Sequence, residues 1–133
     1  MTDDLKKEIA RLAGVLNEPG AITDFGCSES QIDKMKEKSK QIESNKPVCV
    51  VKDWMIWDVQ PPPQLNESNV LVIKGSTIIF DELERFPVGG WVRTAAMINI
   101  YDNCIFATGN THYILVGRGT RKIVALDDAL RFL

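Results

Sequence analysis

The sequence contains few of the residues that most catalytic and metal sites require. It has one histidine, His112, and three widely separated cysteines, Cys27, Cys49 and Cys104. A closed zinc site needs four ligands, and these residues could supply them only by bringing distant points of the chain together. A secreted disulfide framework normally shows an even and denser set of cysteines. We therefore predict three reduced thiols and neither a bound metal nor a cofactor.

Long apolar runs are also missing. No segment approaches the roughly 18 residues that cross a bilayer, and residues 1–8 lack the uninterrupted apolar stretch of a secretory signal. Apolar residues make up 44% of the chain and charged residues 26%, with a net charge of −2, which is unlike a disordered protein. We predict a single domain over residues 1–133 in a cytoplasmic protein with no membrane partner.

The first third of the chain, residues 1–45, has the periodicity of two helices. Thr2 is positioned to cap the first helix, whose apolar residues recur every three or four positions. Ser28 and Gln31 have the spacing of a capping box at the start of the second helix. The second helix is predicted to run to about Ser44 and to lie on the surface, because most of its residues are charged.

Residues 47–124 change to the pattern of strands. The apolar segments on either side of Lys52–Asp53 predict strands joined by a bulge or a turn, or one continuous strand. The apolar segments on either side of Gly75–Ser76 predict a hairpin that turns at these two residues. Residues 126–133 predict a short C-terminal helix, in which Leu130 and Leu133 could dock on the sheet.

The last forty-odd residues carry three turn signals, which are Asp102-Asn103, Gly109-Asn110 and Arg118-Gly119. If each is a two-residue hairpin loop, the loops fix the registers of a four-stranded meander over residues 91–124. The expected pairs are Ile100 with Ile105, Ala107 with His112, and Ile114 with Ile123. The predicted fold is therefore α+β: two N-terminal helices, a mostly antiparallel sheet and a short C-terminal helix. A curled or barrel-like sheet is an alternative to a flat one.

Two patterns that suggest catalysis or nucleotide binding have simpler interpretations. A nucleophilic thiolate at Cys104 would need His112 as its base, but the predicted registers put the two side chains on opposite faces. Residues 117–122 have the wrong spacing for a phosphate-binding loop, and strands rather than a strand and a helix flank them. The acidic residues of the predicted loop between strands over residues 81–90 are interpreted as solvated charges; they are Asp81, Glu82 and Glu84.

A basic hairpin tip is one candidate binding site. The third predicted hairpin carries Arg118, Arg121 and Lys122, and Arg93 lies on the first strand of the same predicted sheet. Such a tip could contact the phosphates of a nucleic acid. The negative net charge favours the alternative that these side chains are a solvated turn.

The tryptophans are the other candidate. Trp54 and Trp57 are three positions apart, so in a regular strand they face opposite sides. If Trp57 is exposed, it could anchor a protein partner. Core packing of all three tryptophans, Trp91 included, is the preferred alternative.

The chain also carries a set of distinctive motifs. They are Trp-Val-Arg-Thr at 91–94, Asn-Cys-Ile-Phe at 103–106, Asn-Thr-His-Tyr-Ile-Leu-Val-Gly at 110–117 and Gly-Thr-Arg-Lys at 119–122, with Gly-Cys-Ser at 26–28 and Val-Lys-Asp-Trp at 51–54 upstream. In these motifs the chain resembles a family of small, functionally uncharacterised bacterial proteins often found near prophage-like or other mobile DNA. The resemblance implies no known active site; it implies an accessory protein of the cytoplasm.

We therefore predict a non-enzymatic protein-interaction or accessory module whose partner is a protein. The first alternative is a nucleic-acid binder that uses the four basic residues. The second is an enzyme of unfamiliar type with a pocket near His112 and Tyr113. An exposed aromatic patch would favour the protein partner, a basic stripe the nucleic acid, and a deep cleft with a perturbed titratable group the enzyme.

Overall fold

The computed structural model describes residues 2–132. Within them lie three α-helices, which are α1 (Asp3–Asn17), α2 (Ile32–Ile42) and α3 (Leu126–Leu130). The eight strands are β1 (Ala21–Ile22), β2 (Val48–Gln60), β3 (Val70–Asp81), β4 (Val92–Arg93), β5 (Asn99–Tyr101), β6 (Ile105–Ala107), β7 (His112–Val116) and β8 (Thr120–Ala125). All eight belong to one mixed, mostly antiparallel sheet that does not close, which confirms the predicted α+β class.

The long strand β2 is the centre of the sheet. Along one edge it pairs antiparallel with β3. Along the other edge it pairs parallel with β7 in its first half and with β8 in its second half. The remaining strands extend the sheet outward: β6 and β5 lie beyond β7, β1 beyond β8, and β4 beyond β3.

β2 runs without interruption through Lys52–Asp53, so the continuous-strand interpretation is confirmed. Asp53 has a φ of 52°, in the left-handed region that aspartate tolerates better than most residues. The alternation of side chains is reset at this point, because Val51 and Trp54 enter the same core cluster although they are three positions apart. Asp53 therefore decides which side chains of the second half of β2 face the helices.

The predicted hairpin at Gly75–Ser76 is wrong, because β3 continues straight through both residues. Gly75 pairs with Trp54 across the sheet. A Cβ added to Gly75 would lie 3.1 Å from Cβ of Val51, closer than ordinary packing allows. This glycine serves a close approach inside the sheet rather than a turn.

The β6–β7 part of the predicted meander is confirmed. Ala107 pairs with His112 and Ile105 pairs with Ile114. Both isoleucines are fully buried, as expected. Turn chemistry and apolar pattern agree in this hairpin, and its prediction needed only residues that are near in sequence.

The predicted β5–β6 register is wrong by one residue. Tyr101 pairs with Ile105, and Ile100 therefore pairs with Phe106 instead of Ile105. The reason is that the loop has three residues, two of which, Asp102 and Asn103, have φ values of 51° and 58°. A one-residue change of register exchanges the faces of a strand, and Ile100 does not enter the fully buried core.

The third predicted hairpin does not form, so the meander has three strands and not four. β7 and β8 lie end to end along β2 and run in the same direction. Ile114 consequently pairs with Val50 instead of Ile123, which pairs with Asp58 and is 66% exposed. The connection over residues 117–119 passes the ring of Trp54 without reversing the chain.

The predicted helix caps are present. The Thr2 Oγ1 accepts a hydrogen bond from the Leu5 N–H at 3.2 Å, and Ser28 and Gln31 form the capping box. α2 ends at Ile42, two residues before the predicted end, and it buries Met35 and Ser39 against the sheet. The predicted surface helix thus has one covered face.

α1 lies lightly on the sheet, and no side chain of Asp3–Asn17 is fully buried. Only Val15 and Leu16 pack against the core. The C-terminal end of α1 is held by the ammonium of Lys122, which donates to the carbonyl oxygens of Gly14 and Glu18 at 3.1 and 2.7 Å. The Gly14 carbonyl already accepts the Glu18 backbone N–H at 2.9 Å, so Lys122 is its second donor, and a cation in this place also interacts favourably with the helix C-terminus.

The apolar core lies on both faces of the sheet. On one face, a cluster around Trp54 is covered by connecting segments that include Phe25 and Phe86. On the other face, α2 covers a cluster around Ile114, the α2 cluster, and α1 and α3 cover a cluster around Trp57, the α1–α3 cluster. None of the helices within residues 2–132 is long and apolar enough to cross a membrane.

The short helix α3 confirms the predicted C-terminal helix over five residues. Ala129 is buried, while Leu130 is 49% exposed and is not docked in the core. The second residue predicted to dock, Leu133, lies outside the described residues.

Candidate functional site

The structure separates the three basic residues predicted on the hairpin tip, and it also separates them from Arg93, which was predicted on the first strand of the same sheet. Arg118 is exposed on the connection between β7 and β8. Arg121 forms an ion pair with Asp58, with 2.7 Å between Nη2 and Oδ2. Lys122 binds the end of α1, and Arg93 lies on β4, on the far side of β2 and β3. The predicted basic tip is therefore wrong, because the hairpin that would form it does not exist.

Two of the three tryptophans are in the core. Trp54 and Trp57 are 2% and 0% exposed and face opposite sides of the sheet, as their spacing predicts. Trp91 is the exposed one, at 59%, so core packing of all three is wrong. The signal for this was local: Trp91 follows Gly89–Gly90, a pair typical of a loop.

Trp57 and Arg93, two of the predicted site residues, line the same cavity. It lies between the start of β3, the end of β2, α3 and the 61–69 connection, and its volume is about 360 Å³. Most of its lining is apolar: Trp57, Val59, Pro61, Leu65, Val70, Val72, Leu126, Ala129 and Leu130. The polar lining residues are Arg93, Glu67 and Ser68. A mainly apolar cavity with a few polar groups is typical of a binding site.

The register of β2 with β3 forms the floor of this cavity. Trp57 pairs with Val72 and Val59 pairs with Val70, which places four large apolar side chains side by side on the face toward α3. The Trp57 Nε1–H donates to the sulfur of Met55 at 3.3 Å, which fixes the orientation of the ring.

The 61–69 connection forms the wall. Pro61–Pro63 cannot continue the strand, because proline has no N–H to donate to a sheet. A 3₁₀ turn over Pro63–Leu65 follows and returns Leu65 to the cavity, and Asn66 then takes a left-handed conformation with a φ of 50°. The residues that shape the cavity thus come from segments far apart in the chain.

Three apolar lining residues of the cavity are in contact with water. Leu65 is 55% exposed, Leu130 is 49% exposed and Val70 is 42% exposed. We call these three residues the rim. Single exposed apolar residues are normal on a protein surface, but three around one concave apolar surface are typical of a binding site.

Arg93 is the cationic group of the cavity, and it is half-buried. Its Nε–H donates to the carbonyl oxygen of Phe132 at 3.1 Å, and Nη1 donates to that of Thr94 at 3.4 Å. A guanidinium has five N–H donors. Within residues 2–132, no carboxylate forms an ion pair with Arg93.

His112 is fully buried beneath α2. Its Nδ1 lies 2.6 Å from the Oγ of Ser39, while its Nε2 has no partner among the described residues. Burial lowers the pKa of His112, and the nearby Lys46 lowers it further. Tyr113 follows on the opposite face, so the structure does not bring His112 and Tyr113 into one pocket.

The predicted opposite facing of Cys104 and His112 is wrong. Cys104 belongs to the α2 cluster, on the side of the sheet where His112 lies, and Cys27 is buried in the same cluster. Burial raises the pKa of Cys104 to about 12, so the thiol stays protonated and is a poor nucleophile. All three cysteines are free and buried.

Of the three acidic residues predicted as solvated charges after β3, Glu82 and Glu84 are exposed, as predicted, and Asp81 is not. Asp81 is 5% exposed rather than solvated. Its carboxylate pairs with the Arg85 guanidinium at 2.8 Å and accepts the Arg85 backbone N–H at 2.7 Å. Burial acts to raise the pKa of Asp81, but the hydrogen bonds from Arg85 outweigh it and lower the pKa. This pair orders the loop and is distant from the cavity at the start of β3.

The fold and the cavity define a small α+β protein with a partly open, mainly apolar cavity. Residues 24–131 match the family described as Domain of unknown function (DUF6957), and the chain belongs to that family. The predicted membership of a functionally uncharacterised family is thereby confirmed. No match is found among curated proteins or among solved structures.

Proposed function

We propose that the protein is a non-enzymatic interaction module that holds an apolar segment of a partner protein in the cavity beside Trp57. The observation that carries this proposal is the apolar rim around a cavity of about 360 Å³. A partner side chain entering the cavity would cover the rim and exclude water from it. In keeping with the family resemblance, we propose a cytoplasmic accessory protein associated with prophage-like or other mobile DNA.

The energy available at the rim is sufficient for an anchor. Complete burial of a leucine or valine side chain contributes about 1.5–3 kcal/mol, and each rim residue is roughly half exposed. Covering all three contributes about 3 kcal/mol before the partner's own apolar surface is counted. Hot spots of protein interfaces have this pattern of a filled apolar pocket with a surrounding contact ring.

Nucleic-acid binding is the weaker proposal. Arg121 and Lys122 are already bound to Asp58 and to the end of α1. Their positive charge is therefore partly compensated within the protein, and Arg118 alone is a small phosphate-binding surface.

Site-specific photo-crosslinking tests the proposal. A crosslinking amino acid replaces Leu65 in one protein and Leu83 in a control. Leu83 is 58% exposed, much like Leu65, but lies beyond the opposite end of β3. We expect a protein adduct in extracts of the native host from position 65 and none from position 83, with or without nuclease. The adduct identifies the partner by mass spectrometry.

The affinity of the purified partner for variants of the protein then tests whether the cavity is the binding site. Leu65→Glu should weaken it at least about 10-fold, because a charge would be desolvated at the rim. Leu83→Glu should change it less than about twofold. Equal effects of the two variants, or loss of the adduct after nuclease treatment, would contradict the proposal.

A further inference from the structure

We infer that the segment held in the cavity is a chain end: a C-terminal apolar residue whose side chain enters the cavity and whose α-carboxylate pairs with Arg93. This inference rests on the proposed function and adds the chemistry of the partner.

The positive charge of Arg93 favours a ligand with a carboxylate. The guanidinium is half-buried, and its two protein partners, the carbonyl oxygens of Phe132 and Thr94, are neutral. No carboxylate of residues 2–132 neutralises it. A partly buried cation whose described partners are all neutral gains a charge-assisted hydrogen bond from an arriving carboxylate. The two hydrogen bonds also hold the side chain in place, so little side-chain entropy is lost on binding.

The charged lining residues of the cavity come from different segments. Glu67 lies with Ser68 on the exposed 61–69 connection, whereas Arg93 lies on β4. A carboxylate next to Glu67 would be repelled. An anionic ligand is therefore directed to the β4 side, where Arg93 lies, with its apolar part over Trp57.

The volume of the cavity limits the size of the ligand. A volume of about 360 Å³ is near the lower limit of ligand cavities and holds one or two side chains rather than a helix. In a C-terminal residue, the carboxylate and the apolar side chain leave the same Cα. Such a residue satisfies Arg93 and the apolar lining within this small space. An internal apolar residue brings no charge, and an internal Asp or Glu brings its charge on a separate side chain.

The test uses two matched peptides, acetyl-Ser-Ser-Phe-Leu with a free C-terminal carboxylate and the same peptide with a C-terminal carboxamide. Binding is followed by NMR through the indole N–H of Trp57. We expect the carboxylate peptide to bind at least about 10-fold more tightly, with an advantage that shrinks as salt is added. The advantage should fall below about twofold in Arg93→Gln and be partly kept in Arg93→Lys. Octanoate is titrated in parallel as a small acid.

Each outcome of these titrations supports or overturns the inference of a C-terminal residue. Equal affinity of the two peptides overturns the chain-end inference and leaves the proposed function standing, since an apolar segment would still bind. If octanoate binds in an Arg93-dependent way and neither peptide binds, the ligand is a small acid, and the inference of a C-terminal residue is wrong. If neither peptide nor octanoate binds while the crosslinked partner still depends on Leu65, the inference is wrong and the proposed function survives. If Arg93→Gln does not fold, the comparison of the two peptides on the natural protein decides by itself.

Discussion

The ring of Trp54 fills the space that a side chain on Gly119 would need. A Cβ added to Gly119 would lie 2.3 Å from Cε3 of this ring. The ring cannot easily move away, because Trp54 is 2% exposed and its Nε1–H donates to the carbonyl oxygen of Val116 at 3.1 Å. This contact lets the chain pass from β7 to β8 without a turn, so that both strands pair with β2.

Gly119→Ala should therefore be strongly destabilising. Overpacking of a rigid core usually costs 1–3 kcal/mol, and a contact this close to an aromatic ring places the expected loss at about 3 kcal/mol. Urea unfolding measures it. Gly109→Ala is the matched control, since an added Cβ there meets only Cδ1 of Ile98 at 3.9 Å. A loss in the control as large as that in Gly119→Ala would show that the Trp54 contact is not the cause.

The pairing of β7 with β2 predicts a second difference in stability. Ile114 is fully buried between β2 and β6, so Ile114→Ala should cost about 2–5 kcal/mol through the lost burial and the cavity left behind. Ile123 is 66% exposed, and Ile123→Ala should cost less than about 1 kcal/mol. Thermal or urea unfolding of both variants checks this. Similar losses of stability in the two variants would indicate that Ile123 is buried as a partner of Ile114, which would contradict the observed pairing.

Local signals in the sequence predicted local structure well. The cap at Thr2, the capping box at Ser28 and the β6–β7 hairpin each depend on residues a few positions apart. Gly75 and Gly119 were predicted in turns, because glycine suits both a turn and a close approach. Which of the two applies depends on Val51 and Trp54, and these neighbours are distant in sequence.

The candidate site shows the same limit. Arg93 and Trp57 were predicted as binding residues for unrelated reasons, one by charge and one by aromatic character. Their common cavity exists only because the 61–69 connection and α3 close around the β2–β3 pair. Leu65 and Leu130 were not predicted as site residues, and the one local signal was for Leu65, an apolar residue two positions after Pro61–Pro63.

Stability should depend on pH through His112, the only histidine of the chain. Burial keeps its folded-state pKa below the ordinary value of 6.5. As pH falls below about 6.5, the unfolded chain binds a proton that the native state does not, so the free energy of unfolding decreases. The slope can approach at most about 1.4 kcal/mol per pH unit, and it levels off once the folded-state pKa is passed.

Urea unfolding between about pH 7.5 and 5.5 measures this loss. His112→Gln keeps a polar side chain next to Ser39 but cannot titrate, so its stability should change much less over the same range. An equal decrease in both proteins would assign the pH dependence to carboxylates instead.

The last prediction separates the basic residues of the β7–β8 region by their contacts. Lys122→Glu removes the two hydrogen bonds to the end of α1 and places a carboxylate next to the helix carbonyls and Glu18. It should cost about 1–2 kcal/mol. Arg118 is exposed on the connection, so Arg118→Glu should change stability by about 0.5 kcal/mol or less. Unfolding of the two variants, and hydrogen exchange of α1 in Lys122→Glu, test the difference.

The same pair of variants tests for nucleic-acid binding. With a net charge of −2 and two of the predicted cations engaged within the protein, we expect no measurable binding of fluorescent single- or double-stranded DNA at about 150 mM salt. Submicromolar binding that persists at this salt and is lost in Arg118→Glu would contradict us, since that variant keeps the fold and removes only an exposed charge. Binding lost only in Lys122→Glu would instead be explained by the loosening of α1, and hydrogen exchange would show it.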